Sequence, residues 1–387
     1  KENPNRIVSA YKDNVAYVEG PEVEQFASPN PEKADYFQKK KFKSVISLKA
    51  ETHNFPTTVE PFYGAATGSG GEIRDRMAGG KAGIPLAGTA VYMTSYSRLK
   101  GNRPWENHME ERPWLYQSPV DILIKASNGA SDFGNKFGQP LISGSVLTFE
   151  HEHAGKKYGY DKVIMQAGGI GYGVAEQSKK DVPQKGDKIV VMGGDNYRIG
   201  MGGSAVSSVD TGSFANQIEL NAVQRANPEM QKRVANAIRA MAESTENPII
   251  SIHDHGAGGH LNCLSELVED TGGKIDLRKL PIGDTTLSAK EIVGNESQER
   301  MGLVIKEKDI AKLQKVSQRE RAPFYVVGEI TGDHHFSFED KDSNKNPVDW
   351  PLASMFGSAP KTILADQKHN TTFTTLQYEA TEIEGYI

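Results

Sequence analysis

From about residue 184 onward the chain alternates short β-branched, apolar runs with amphipathic stretches of helical period, and this alternation constrains the fold more than any other feature. The segment VPQKGDKIVVMGG reads as a turn feeding a buried strand at residues 188–192. Asn227 and Pro228 form a helix-start pair, after which Met230, Val234, Ile238 and Met241 recur on one helical face. A strand at 249–252 follows, then a helix with Leu261, Leu264, Leu267 and Val268 on one side. A strand at 299–305, a helix at 308–319 and a strand at 324–327 complete the pattern. Such alternation predicts an α+β or α/β domain. The earlier region carries strand-like runs at 43–50, 89–96 and 163–166 and a helix at 119–130, with dense glycine and proline punctuation between them. The expected organisation is an N-terminal domain over residues 1–183, a C-terminal domain over 184–362, and a linker over 363–387.

A length of 387 residues suits two domains at roughly 100–200 residues each. The formal net charge of -5 gives no electrostatic reason for a nucleic-acid partner, and Lys39, Lys40, Lys41 and Lys43 read as a solvated face. No stretch approaches the ~18 consecutive apolar residues of a membrane helix. Cys263 is the sole cysteine, which excludes an internal disulfide and a thiolate metal cluster. A cytoplasmic location is therefore expected, with the Asn-x-Thr at Asn370 a chance match. The chain opens at Lys1 among residues that already read as structured, so it is expected to be an internal piece of something longer.

Three clusters carry chemistry. In LKAETHNFPTTVEPFYGAATGSGGEIRD, a strand delivers Lys49, Glu51 and His53 to one face by its two-residue period. A glycine-rich loop over residues 64–71 is expected next, ending in Arg74 and Asp75. Glycines let backbone amides approach a phosphate, Lys and Arg neutralise it, and carboxylates hold magnesium. The bland alternative is a mobile surface loop beside a salt-bridged strand. The second cluster, GGDNYRIGMGGSAVSS, follows a strand; it lacks the Gly-Lys-Ser/Thr of a Walker A loop, but its amides and Ser204 suit a phosphate. The third, HDHGAGGHL, ends a strand on Asp254 before a glycine-rich turn. His253, His255 and His260 invite a zinc reading, which the absence of an i, i+4 pair on a helix weighs against. The segment at 151–153 reads as a surface strand.

Together KAETHNFPT, GAATGSGGEIRD, HDHGAGG and NESQERM, in that order, resemble the synthetase region of formylglycinamide ribonucleotide amidotransferase, also called phosphoribosylformylglycinamidine synthase. NPNRIVSAYKDNVA and QRERAPFYVVGE resemble its large, single-chain form best. The resemblance implies the fold of aminoimidazole ribonucleotide synthetase: an N-terminal sheet domain that pairs into a barrel, followed by an α/β C-terminal domain. It implies the first of two tandem synthetase units, the partners being the second unit, a glutaminase domain and the substrate formylglycinamide ribonucleotide. A homodimer of the isolated piece follows from the same pairing.

By that resemblance His53 is the catalytic histidine, and Glu51, Asp75 and Asp254 are Mg2+ ligands. Thr52, Asn54, Arg74, Gln224, Glu296, Ser297 and Gln298 fall on substrate positions. Lys49 falls on an ATP contact, and nucleotide binding falls on Gly64, Ala65, Ala66, Thr67, Gly68, Ser69, Gly70, Gly71, Glu72 and Ile73, with Ser143, Gly144 and Ser145. The implied reaction has ATP phosphorylate the substrate amide, giving an iminophosphate that ammonia displaces. Phe55 departs from the family, standing where many relatives have a second histidine. No Ser-Glu-His-Cys-like motif and no glutaminase triad occur in this sequence, so the piece alone is expected to be inactive. Two other readings stay open: a nucleotide-binding scaffold without catalysis, and a single-unit relative, for which the expected Asp-Gly-Val-Gly-Thr-Lys-like run is missing.

Overall fold

The structure, a computed structural model, describes residues 5–99, 103–107, 117–297, 299–357 and 360–368, with 372, 375, 377, 379 and 381 beyond them. Gln298 and Asn370 lie outside the described residues.

The first sheet is built from β1 (Ile7–Ser9), β2 (Ala16–Ala27), β3 (Gln38–Thr52), β4 (Ile84–Thr94), β5 (Leu141–Thr148) and β8 (Ile164–Val174), in the order β1-β2-β3-β8-β4-β5. Only β4 and β5 run parallel; the other pairs are antiparallel. A small hairpin of β6 (Glu150–His153) and β7 (Lys156–Gly159) stands apart, so residues 151–153 do form an exposed strand. The basic run sits on β3, where Lys39 and Lys41 pair with Glu24 of β2. Three helices belong to this half: α1 (Asn54–Val59), α2 (Pro61–Met77) and α3 (Pro119–Phe137). Ser118 caps α3 by accepting from the Asp121 amide, and Gly138 ends it in the left-handed conformation that an L side chain resists. The helix expected at 119–130 thus continues for two more turns.

The second sheet uses β9 (Lys188–Gly193), β10 (Ile249–Asp254), β11 (Gly273–Asp276), β12 (Arg300–Ile305), β13 (Phe324–Ile330), β14 (His335–Asp340) and β15 (Lys345–Pro351), in the order β10-β12-β9-β13-β11-β14-β15. Its helices are α4 (Gly203–Ser207), α5 (Asn216–Ala222), α6 (Pro228–Glu243), α7 (Gly259–Leu267), α8 (Ala289–Gly294) and α9 (Ile310–Glu320). Asn227 caps α6 through the Met230 amide, and Val234, Ile238 and Met241 are buried as their spacing predicts, with Met230 half-buried. The boundary expected at residue 184 falls in the connection between β8 and β9.

The second sheet is buried on both faces. On one side Ile189, Val191, Phe336 and Phe338 pack with Leu264 and Leu267 of α7. On the other, Val190, Met192 and Leu303 meet Val234 and Ile238 of α6 and Leu313 and Val316 of α9. That second cluster also contains Ile73 and Met77 of α2 and Phe133 and Phe137 of α3, so one apolar core ties the helices of the first half to the second sheet. Among the described residues the first sheet is covered on one face only. Its other face leaves Leu48, Ile142 and Ile170 exposed around a shallow groove.

The largest departure from expectation lies at residues 64–71, which belong to helix α2 and not to a loop. Their glycines serve contact. A Cβ on Gly64 would run into the Pro56 and Thr57 backbone, and one on Gly70 into the Phe133 ring. The helix therefore accepts a propensity cost of roughly 1 kcal/mol per glycine for close packing. The expected linker is exposed and without regular structure over residues 363–368.

Candidate functional site

Strand β3 ends at Thr52, and His53 follows as the residue before α1, so the two-residue period carries Lys49, Glu51 and His53 to one side as expected. They line a cavity of about 920 Å³ between the two sheets, which also takes Arg74 and Asp75 from α2, Gln224, Asp254 at the end of β10, and Glu296.

His53 is half-buried, and its Nδ1 lies 2.5 Å from the carbonyl oxygen of Gly64. A carbonyl only accepts, so Nδ1 carries the proton and Nε2 keeps its lone pair. Burial holds the imidazole below its ordinary value, so it stays neutral at pH 7. Gly68 lies flush against this ring, since a Cβ there would meet the His53 side chain at 2.9 Å. The glycine-rich run therefore seats the histidine, where a phosphate cradle had been expected.

Around it sits a compact charge array. The Lys49 ammonium lies 2.9 Å from Glu51 and 3.0 Å from Asp75. Burial would lower this lysine, but Asp75 and Glu51 outweigh it and hold the ammonium above its usual range. Burial raises Asp75 well above the usual carboxylate range, with Asp254 adding to the shift, and burial raises Asp254 in turn. Arg74 is buried; one guanidinium nitrogen donates to Gln231 at 2.9 Å, and its Nε, 3.9 Å from Asp254, has no hydrogen-bond partner. Gln224 Oε1 is likewise buried without a partner. An orphaned donor and an orphaned acceptor in one cavity are costly unless a ligand completes them.

The hard carboxylate oxygens of Glu51, Asp75 and Asp254 suit magnesium in kind. They are not gathered into a cage: among the described residues no group of three or more His, Cys, Asp or Glu side chains could hold a metal ion. Lys49 stands between Glu51 and Asp75, and Asn14 Nδ2 bridges Asp75 at 3.0 Å and Asp254 at 2.9 Å. The arrangement fits a cation that brings phosphate oxygens with it better than one held by protein alone.

Other expected residues divide. Thr52, Asn54, Thr67, Gly68 and Gly71 line the cavity, although the Asn54 side chain is spent on the Met165 amide. Ala65, Ala66, Ser69, Gly70 and Ile73 are buried in α2 away from it, and Glu72 is buried against Arg76 and Gln139. Packing and these bonds occupy the apolar groups and Glu72, while the buried Ser69 hydroxyl has no hydrogen-bond partner. Ser143, Gly144 and Ser145 are exposed on the edge strand β5, outside the cavity, because β4 and β8 separate that strand from β3. Ser297 also lies outside the lining, its amide held by Asn295.

Glu296 lines the cavity, but one carboxylate oxygen is already engaged by the Ser204 amide at 2.9 Å, the Ser204 hydroxyl at 2.8 Å and the Gly258 amide at 3.2 Å. It braces the second and third glycine-rich clusters against each other, and in doing so takes the Ser204 donors expected for a phosphate. The zinc reading loses its geometry: His255 and His260 bond each other at 2.9 Å, and His260 takes a donor from Arg300. Phe55 packs with Val59, Val206, Ala222 and Val223, joining the core.

Sequence reasoning missed Asn14 and Lys162 in this cavity, and gave His253, which also lines it, only a zinc reading. Lys162 donates to the Ser207 carbonyl at 2.9 Å and lies over the Phe55 ring. No periodicity gives Asn14 or Lys162 a place in a site; only the register of β8 and the path of residues 10–15 bring them in.

Comparison with known proteins places this geometry in context. Residues 184–341 match the family described as AIR synthase related protein, C-terminal domain. T. maritima PurL complexed with FGAR superposes with a TM-score of 0.69 at 24% identity, covering 89% of this chain and 52% of its own. T. maritima PurL complexed with ATP gives 0.63 at 23% identity, covering 89% and 50%. The HypE-HypF complex gives 0.53 at 16% identity, covering 78% and 89%. This chain thus spans about half the length of the PurL structures it matches. It has the mixed α/β, AIR synthase-like fold of PurL, and the family match is confined to residues 184–341.

Proposed function

We propose that this chain is the first synthetase unit of a large, single-chain formylglycinamide ribonucleotide amidotransferase, an ATP-dependent ligase of purine biosynthesis. One observation carries the reading: a single cavity between the sheets gathers a neutral histidine, a buried carboxylate pair, Lys49, and the unpartnered Arg74 Nε and Gln224 Oε1. That PurL of the same fold is complexed with FGAR in one structure and with ATP in another supports the choice of substrates.

The chemistry follows from the array. The amide oxygen of the substrate attacks the γ-phosphorus of ATP, the bond to ADP breaks, and the amide N–H proton passes to His53 Nε2. Ammonia, supplied from glutamine by a separate domain, then attacks the imidate carbon. The C–O bond breaks, and phosphate leaves with the proton shed by the attacking nitrogen. Arg74 and Gln224 hold the substrate, and Lys49 faces the nucleotide phosphates. Magnesium arriving with ATP would be held by Asp75 and Asp254 beside Glu51 and would offset charge on the transferring group. The second synthetase unit and the glutaminase domain are the partners of this piece, and a second copy of its own first sheet substitutes when they are absent.

The test is His53→Ala in the full-length enzyme. Ammonia-dependent turnover should drop by about 100-fold or more, as loss of an acid–base group usually produces. Glutaminase chemistry and substrate affinity should survive. A variant with near-normal ammonia-dependent rate would exclude the catalytic role.

A further inference from the structure

We propose that the side-chain amide of Asn14 competes with a divalent cation for the inner oxygens of Asp75 and Asp254, acting as a removable plug in the carboxylate pair. The inference rests on the reading of those two aspartates as cation ligands.

Asp75 comes from helix α2 of the first half and Asp254 from the end of β10 in the second, so the two carboxylates belong to different halves of the fold. Asn14 Nδ2 lies 3.0 Å from one and 2.9 Å from the other. A primary amide has two N–H donors, and both are spent here. The orientation is fixed chemically: Asn14 Oδ1 accepts from the Lys180 ammonium at 3.1 Å. Flipping the amide would set its oxygen against two carboxylates and its nitrogen against an ammonium.

A small hard cation bridging the pair needs those oxygens at about 2.0–2.1 Å, in the space the amide nitrogen fills. The two cannot occupy it together. The outer oxygens face cationic groups, with Lys49 3.0 Å from Asp75 and the Arg74 Nε, beyond hydrogen-bond reach, 3.9 Å from Asp254. The segment can release the amide without leaving its seat, because Asp13 is anchored separately: its carboxylate accepts from the Gly80 amide at 2.7 Å and pairs with Lys180 at 2.7 Å. Rotation of the Asn14 side chain is enough. Asn14 therefore sets a threshold that metal alone passes poorly, and that metal carried on a polyphosphate passes with its own oxygen ligands.

The experiment titrates Mg2+ alone into the full-length protein by calorimetry, comparing wild type with Asn14→Ala, Asn14→Ser and Asp75→Asn. Serine is too short to span the pair, and it keeps the proposal testable where alanine fails to fold. Removing the amide should tighten Mg2+ binding at least about tenfold, since tenfold is about the weight of one charge-assisted hydrogen bond and two are displaced, while Asp75→Asn weakens it. Unchanged affinity in both Asn14 variants, with Asp75→Asn weakened, overturns the competition and leaves the cation site standing. Weaker binding in the Asn14 variants makes Asn14 a ligand and also overturns it. An Asp75→Asn protein that titrates like wild type removes the cation reading on which the proposal rests.

Discussion

At the scale of single residues, the buried chain Arg300–His260–His255 fixes protonation without any hydrogen being seen. A guanidinium only donates, so His260 Nε2 accepts from Arg300 at 2.8 Å. His260 Nδ1 must then carry the proton given to His255 Nε2, which leaves a protonated His255 Nδ1 buried with no partner. Burial, with Arg300 beside them, holds both rings well below the ordinary histidine value. His253 is held down to about 3 by burial and Lys180. The consequence for stability has a definite sign. As pH falls through about 6.5 the unfolded chain takes up protons that the folded chain refuses, so stability present above that pH is lost below it. The slope is up to about 1.4 kcal/mol per pH unit for each such histidine. Asp75 and Asp254, raised by burial, act in the opposite sense over part of the range, so a difference measurement is required. His260→Gln, which can still accept from Arg300 and donate to His255, should be less stable than wild type at pH 8 and should lose less on acidification to pH 5. Parallel stability curves for the two proteins would remove His260 from the account.

At the scale of elements, helices α2 and α3 approach through glycines. A Cβ on Gly129 of α3 would collide with the Phe62 carbonyl at the start of α2. Alanine has the better helix propensity by about 1 kcal/mol, but forcing apart two packed backbones costs about 1–3 kcal/mol. Gly129→Ala should therefore destabilise the protein in urea unfolding, and a stabilised variant would show that the helices are free to shift. The same contacts explain what the sequence concealed. Helix α6 is legible because Val234, Ile238 and Met241 keep a helical period behind an Asn-Pro start. Helix α2 is illegible because its glycines, which normally mark loops, are selected here by the backbones and rings they touch. Strand β2 is hidden for another reason: Glu22 and Glu24 face solvent opposite the lysine-rich start of β3, so β2 shows no clear apolar alternation, whereas residues 43–50 of β3 do. In the site, His53, Asp75 and Asp254 stand in recognisable runs. Lys162 stands in none, and Asn14, though within NPNRIVSAYKDNVA, owes its place in the site to long-range placement.

At the scale of the whole molecule, the asymmetry of the first sheet is the feature that calls for a partner. Its inner face packs through Ala90, Tyr92, Met165 and Ala167 on α2 and α3, while on the outer face Ile142 is 66% exposed, Leu48 44% and Ile170 39%. These side chains line one groove with Ala50, Ala87 and Val91, so they form a patch and not scattered exposures. The PurL structures of this fold are about twice as long as this chain, which leaves room for a second unit to cover that face. Where only this chain is present, a second copy offers the same apolar surface, and a self-complementary pairing closes as a two-fold dimer. The edge strand β5 borders the patch and adds an open ladder. Light scattering on the purified 387-residue chain at micromolar concentration should give the mass of a dimer. Ile142→Asp combined with Ile170→Asp puts two charges into the groove and should give a monomer with an unchanged far-UV spectrum. A wild-type chain that stays monomeric at every concentration would mean that this face is matched only to a different surface.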